Sequence, residues 1–408
     1  MIDKKLLILS TYPIKAPLHG GQKRLNAILE MYKNNFTQVK SCAVFFRGFY
    51  SEFTSDDIAL GPDSERLVYC SPLTSDIVSG DAIVSDPKVK RKLSKLLKTY
   101  GPDIIHIEQP FIYIGLKAIL NEVNLRPKII FGSQNIEGPM KKEILRNSGM
   151  DISDIDRYVN IINKVEAEIT RDSDLVVACT IEDKKKLQNY GAKDIVIAVN
   201  GADHTSTNEA SINKWDKIFK THNIQKKIVF IGSAHPPNWT GFLNMVGKGL
   251  GFLPYGNSIV LAGSICDYFE REISVDSMNI YAATFWLRAF SAGRLSQNDL
   301  GAIISLSDVI ILPITEGGGS NLKTAEAILA NKKVVTTKHA LRSFEWFEDF
   351  PNVWTTNDPE EFKKYIIDSL QARYISRNRS QQKKAETVSW EYCLRPLTKA
   401  VRKLCLES

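Results

Sequence analysis

The segment from Ser307 to Glu326, Ser-Asp-Val-Ile-Ile-Leu-Pro-Ile-Thr-Glu-Gly-Gly-Gly-Ser-Asn-Leu-Lys-Thr-Ala-Glu, carries the residues whose types and spacing best suit chemistry. Its apolar run Val309–Leu312 reads as a buried strand that stops at Pro313. A flexible turn follows, and a helix is expected from near Ser320 or Asn321 to Ala330. The consecutive glycines, Gly318 and Gly319 among them, let backbone amides come close to an anion. The free N–H groups and positive end of the helix add to that attraction. Lys323 falls in the first helical turn, where the helix dipole disfavours a cation. A phosphate bound there accounts for it. Glu326, one turn further on, suits the paired hydroxyls of a ribose. No Gly-Lys-Ser/Thr follows the glycines, so this is not a Walker loop. The set reads as a site for a nucleoside diphosphate.

With those residues in view, the segment resembles the donor-site signature of the retaining glycosyltransferases of family 4. Their architecture, GT-B, consists of two Rossmann-like doubly wound parallel-sheet α/β domains facing across a cleft. The resemblance implies that Glu326 holds the ribose of a nucleotide sugar and that Glu316 contacts the donor hexose. Gly319, Ser320, Lys323 and Glu326 match a family variant with Gly-Ser/Thr-x-x-Lys before the second glutamate, and Asn321 lies within it. Between Glu316 and Glu326 nine residues intervene, where the commonest version has seven. The segment Thr11–Arg24 looks like the family's first loop, implying that Gly20, Gly21 and Arg24 face the donor phosphates. Asp103-Ile-Ile-His-Ile-Glu-Gln-Pro110 resembles a loop near the transferred sugar. In it His106 reads first as a structural residue of the strand's end and second as an acceptor-side candidate, and Glu108 is a candidate acceptor ligand or base beside the alternative of a satisfied loop carboxylate. Ser133-Gln-Asn-Ile-Glu137 resembles a stretch on the acceptor side, through Asn135 and Glu137. Phe230–Asn238 resembles the loop after the second domain's first strand, which places Gly232 and Ser233 at the donor. The Arg/Lys pair often found near that loop is missing, leaving Lys323 or Arg342 to neutralise the diphosphate.

Elements of fixed spacing must position these groups. Apolar runs on successive residues predict strands over Lys5–Ser10, Val39–Phe45, Ile104–Ile107, Lys128–Gly132, Leu175–Ala178 and Ile195–Val199. Further strands are predicted over Ile228–Ile231, Ser258–Ala262, Val309–Leu312 and Lys333–Thr337. Helical patterns such as Gly21–Lys33 and Ile155–Thr170 lie between them. That alternation means right-handed crossovers and parallel sheets. The polar, turn-rich stretch Gly201–Glu209 breaks the pattern. Two domains are expected, 1–205 on the acceptor side and 206–389 binding the donor, with a C-terminal helix 390–408 packing back on the first.

Composition narrows the remaining choices. The 408 residues are 43% hydrophobic and 24% charged, enough for a sizeable core. Six cysteines without Cys-x-x-Cys pairing look like free thiols of a reducing compartment. Neither the histidines nor the cysteines have the spacing of a metal site, so no metal cofactor is expected. The net charge of +7 is concentrated in one basic amphipathic helix, 88–98, and nothing points to nucleic acid. That helix reads as a solvated face packed on a sheet, with a peripheral contact at the inner membrane face as the other reading. No run approaches the roughly eighteen apolar residues of a membrane span, and the expected compartment is the cytoplasm. The implied reaction moves a sugar, with retention and without metal, from a nucleotide-sugar donor to a saccharide, lipid-linked or protein acceptor, in cell-surface polysaccharide or glycoconjugate synthesis. A nucleotide-sugar epimerase and a catalytically silent binding protein stand as alternatives.

Overall fold

The computed structural model describes residues 1–15, 17, 19–64, 73–273 and 280–406. Cys70, and Ala16 and Leu18 of the first loop, lie outside the described residues. The chain divides into two compact units, one formed by Met1–Val199 with Cys393–Ser408 and the other by Asn200–Tyr392.

The first unit is built on a seven-stranded sheet in the order β3-β2-β1-β4-β5-β6-β7. Its strands are β1 (Ile2–Ser10), β2 (Phe36–Phe46), β3 (Ile58–Leu60), β4 (Ile104–Glu108), β5 (Lys128–Gly132), β6 (Leu175–Ala178) and β7 (Ile195–Ile197). The second holds a six-stranded sheet in the order β10-β9-β8-β11-β12-β13. These strands are β8 (Lys226–Ile231), β9 (Asn257–Ala262), β10 (Ala289–Ser291), β11 (Val309–Leu312), β12 (Lys333–Thr336) and β13 (Val353–Thr355). Every pairing in both sheets is parallel. Helices therefore cover both faces, and strands such as Ile104-Ile-His-Ile-Glu108 are buried on successive residues.

Both orders reverse direction once, between β1 and β4 in one unit and between β8 and β11 in the other. At such a switch point the crossovers leave to opposite faces. A crevice opens beyond the carboxyl ends of the two strands, and that is where doubly wound sheets bind ligands. The loops after β1, β4, β8 and β11 are thus the positions that the topology itself singles out.

Local signals set the helix ends. Asp86 caps the basic helix Pro87–Tyr100 by accepting from the amides of Lys88 and Val89, and Pro87 opens it. Val89, Leu93, Leu97 and Tyr100 are buried, leaving Lys88, Arg91, Lys92, Lys95 and Lys98 on the exposed face. The final helix, Arg395–Leu406, buries Leu397 and Val401 and lies on β1, β6 and β7 of the first unit. No helix of the described residues is long and apolar enough to cross a membrane.

Candidate active site

In the Asn200–Tyr392 unit, the exits of β8 and β11 lead into the helices Pro236–Met245 and Leu322–Ala330. Asn321 caps the second helix, its side chain accepting from the Lys323 amide at 3.2 Å. The two exits are tied by one polar chain. Asn238 Nδ2 donates to the Ser233 carbonyl at 2.9 Å, and Lys323 Nζ donates to Asn238 Oδ1 at 2.9 Å. The Thr240 hydroxyl donates to the Glu316 carboxylate. Gly241 lets this helix lie close to the β11 exit, because a Cβ there would stand 2.2 Å from the Pro313 carbonyl oxygen. Glu326 follows Lys323 by three residues on the same helix, and side chains three apart are neighbours.

The turn itself is held from two sides. The Ser320 hydroxyl accepts from the Asn200 amide at 2.7 Å, and its carbonyl accepts from Asn200 Nδ2 at 3.0 Å. The loop after β12 supplies the other side. His339 Nε2 meets the Gly317 carbonyl at 3.1 Å. Arg342 donates from Nε to Gly319 O at 2.5 Å, from a terminal nitrogen to Gly318 O at 2.9 Å, and from the other to His339 O at 3.0 Å. Ala340 O accepts from Thr324 Oγ1 at 2.5 Å and from Asn321 Nδ2 at 3.3 Å, fastening the same loop to the helix start. The structure thus links Ser233 to Lys323 through Asn238, and Glu316 to Thr240 of the same helix as Asn238. Gly232 lies directly before Ser233, Gly318, Gly319, Ser320 and Asn321 form the turn that precedes Lys323, and Glu326 lies one helical turn beyond it.

In the other unit, the helix Gly20–Lys33 starts beyond β1, and His19 caps it, Nδ1 accepting from the Gln22 amide at 3.4 Å. Burial lowers the His19 imidazole to about 4, so it is neutral at physiological pH. Gly20 faces open space, while a Cβ on Gly21 would stand 2.8 Å from both Gln134 Oε1 and the Tyr12 hydroxyl. Under this helix start lies a buried polar network. Glu108 is fully buried, 3.0 Å from His106 Nε2, 2.7 Å from Gln134 Nε2 and 3.7 Å from Arg24 Nε. Burial pushes its carboxyl up. The Arg24 guanidinium, then the His106 and Gln134 hydrogen bonds, outweigh that and hold it below the ordinary value. Since the carboxylate only accepts, His106 Nε2 carries the hydrogen, and Nδ1 faces the Tyr32 hydroxyl at 2.7 Å.

Burial corrects two expectations, for Arg24 and Glu137, and selects between two readings each for Glu108 and His106. Arg24 does not reach out to an anion; it is 1% exposed, paired with Glu108, and donates to Ala198 O at 2.9 Å. Glu108 is an ionised, hydrogen-bonded anchor, in keeping with the reading of a satisfied carboxylate, and His106 is its structural partner, in keeping with the first reading of that residue. Their strand, β4, is covered on both faces, so neither side chain reaches solvent. Glu137 is 1% exposed as well, with its amide donating to Glu166 Oε1 at 3.0 Å. Asn135 is partly exposed, and its carbonyl accepts from Ser133 Oγ at 2.9 Å.

The buried acids carry a pH prediction. Burial pushes Glu137 from 4.5 up to about 8, opposed by Lys141 and reinforced by Glu166 and Asp76. Burial also brings Glu166 to about 7. Both acids bind protons more tightly in the folded than in the unfolded chain, so their contribution to folding is greatest at acidic pH. That share of stability is lost as pH rises from the unfolded value near 4.5 through about 8. Thermal melts should show Tm falling by about 5 °C or more over that range, and Glu137→Gln should flatten the fall. A Tm in Glu137→Gln that falls as steeply as in the wild type would contradict the assignment.

Tyr12, Gln134, Asn238 and Thr240 were not among the expected site residues. Gln109 was also missed; it directly follows β4 with φ of 72°, a strained value for a residue with a side chain, and its side-chain Oε1 accepts from Thr11 Oγ1. A polar residue one or two positions after a buried strand was the available signal for Gln109 and Gln134.

Several solved structures share this architecture. Sucrose-phosphate synthase from Thermosynechococcus elongatus aligns with a TM-score of 0.70 at 12% identity, over 99% of this chain and 100% of that one. The UDP-forming α,α-trehalose-phosphate synthase from Burkholderia vietnamiensis aligns at 0.66 and 12% identity, over the whole of both chains. HepE from Anabaena, in complex with UDP and glucose, aligns at 0.63 and 14% identity, over 98% of this chain and 100% of that one. The fold is GT-B. None of the family models compared with the sequence matches it, and no curated protein matches it either. Within the GT-B fold, the glycine turn and Lys323 follow β11, a strand at the switch point of the second unit, and Glu326 lies one helical turn beyond.

Proposed function

We propose that this chain is a glycosyltransferase that moves a sugar from a uridine diphosphate sugar to a hydroxyl acceptor. The observation that carries the reading is the convergence of the glycine turn, a capped helix start and the Lys323 ammonium at one switch point. All three favour a diphosphate. Support for uridine comes from the solved structures sharing the fold, HepE with UDP and UDP-glucose and the UDP-forming trehalose-phosphate synthase.

In this reading Glu326 accepts from the ribose hydroxyls and Glu316, steadied by Thr240, accepts from hydroxyls of the donor sugar. The barrier lies in departure of the diphosphate, whose growing charge the Lys323 ammonium and the turn amides stabilise without reorganising. These protein groups supply the electrostatics that a metal would otherwise provide, so chelation with EDTA is expected to leave turnover unchanged. A rate that collapses with EDTA and returns with a divalent cation would contradict this. Retention of anomeric configuration, a role in polysaccharide or glycoconjugate synthesis, and approach to a membrane-borne acceptor through the basic face of Pro87–Tyr100 belong to the same proposal.

The test is turnover. The chain is incubated with UDP-glucose and a panel of saccharide, lipid-linked and peptide acceptors, reading UDP release and the anomeric configuration of the product. Release that depends on the acceptor and disappears in Glu326→Ala supports the reading. Neither binding nor turnover with any UDP-sugar would sink it.

A further inference from the structure

Three successive carbonyls of the glycine turn are gathered by one loop. Gly317 O meets His339 Nε2, and Gly318 O and Gly319 O accept from the fork of Arg342. A carbonyl can only accept, so His339 carries its hydrogen on Nε2. Peptide units are planar, and the chain has no cis bond, so each N–H points opposite to the C=O of its own unit. The units whose carbonyls face the loop carry the amides of Gly318, Gly319 and Ser320. Those three N–H groups must therefore emerge on the far side of the turn. Among the described residues none of them donates a hydrogen bond. The backbone makes the arrangement feasible, since Gly317 and Gly319 have φ of 108° and 64°, on either side of Gly318, which is outside that region. Alternation of this kind makes successive amides converge into an anion-binding concavity.

We propose that Arg342 and His339 are positioning residues that hold this turn as a cradle of three amides for one phosphate. The proposal rests on the nucleoside-diphosphate reading of the same crevice and adds how the cradle is kept open. Arg342 suits the task because its planar fork reaches three carbonyls at once, those of Gly318, Gly319 and His339. Its charge is turned toward backbone oxygens, not toward the ligand. Without it, the turn's carbonyls are released, and the peptide units are free to rotate their amides out of register.

Calorimetric titration of the full chain with UDP tests this, with thermal melts alongside. Arg342→Ala should weaken UDP binding about tenfold or more, since about tenfold is the weight of a single hydrogen bond to a charged group and the cradle offers three. Arg342→Lys keeps the charge but not the fork and should recover only a small part. Wild-type affinity in Arg342→Lys would make Arg342 a plain charge on the phosphate and overturn the proposal, as would wild-type affinity in Arg342→Ala. If Arg342→Ala loses its cooperative melt, the His339 pair decides. His339→Gln keeps a donor and should bind UDP about threefold or more tightly than His339→Ala, whereas equal affinities overturn the proposal. A wild-type chain that binds no UDP would refute the site reading, a result distinct from all of these.

Discussion

Lys323→Ala is expected to weaken UDP binding by about ten- to a hundredfold while leaving thermal stability unchanged or slightly raised. The opposite signs follow from one fact of geometry. Lys323 lies in the first turn of Leu322–Ala330, at the positive end of the helix. In the free protein a cation there is unfavourable by about 0.3–1 kcal/mol, and alanine is the best helix former. The bond from Nζ to Asn238 Oδ1 offsets this at a partly exposed position, where its worth is small. With a diphosphate present, the same ammonium makes a charge-assisted bond worth about 1.5–3 kcal/mol. A residue kept for folding would lose stability first and affinity only as a consequence. Calorimetry with UDP and a melting curve on the same sample separate the cases. Unchanged affinity, or a large drop in Tm, would contradict the assignment.

The second large effect is on stability. Arg24→Ala should destabilise the first unit by about 3–5 kcal/mol, because it strands the buried Glu108 carboxylate. Glu108→Gln in the same background removes the stranded charge and should restore much of the loss. Denaturant unfolding of the two single variants and the double variant closes the cycle. Additive losses would show that the two side chains are not coupled, and a loss under about 1 kcal/mol in Arg24→Ala would show that the ion pair is not an anchor.

Much of the fold was legible because parallel strands covered on both faces write themselves as Ile/Val/Leu runs, and all ten expected strands have counterparts. Three were missed, β3, β10 and β13, each three residues long and too short for any periodicity. The first three residues of β2, Phe36–Gln38, were also passed over, since the polar Thr37 and Gln38 interrupt the apolar pattern. The glycine turn was legible through chemistry alone, as glycine, cap and cation fall in one short stretch. Arg24 was misread because Gly-Gly followed by a cation resembles an anion site. Helical spacing held the contrary signal, for Arg24 sits four residues before Ile28 and eight before Tyr32, on the buried face. His106 and Glu108 gave a similar clue, since residues two apart in a strand share a face and can pair. The loop from His339 to Arg342 could not be read in advance, because its task depends on carbonyl directions that no side-chain pattern encodes.

The central claim is that the helix Leu322–Ala330 holds a nucleoside diphosphate with its ribose on Glu326. Titrating UDP and 2′-deoxy-UDP onto the wild type and Glu326→Ala tests it directly. The wild type should prefer UDP by about tenfold, the weight of a hydrogen bond to a charged carboxylate, and Glu326→Ala should bind the two alike. A wild type that ignores UDP, or a preference for the 2′-hydroxyl that survives in Glu326→Ala, would contradict it.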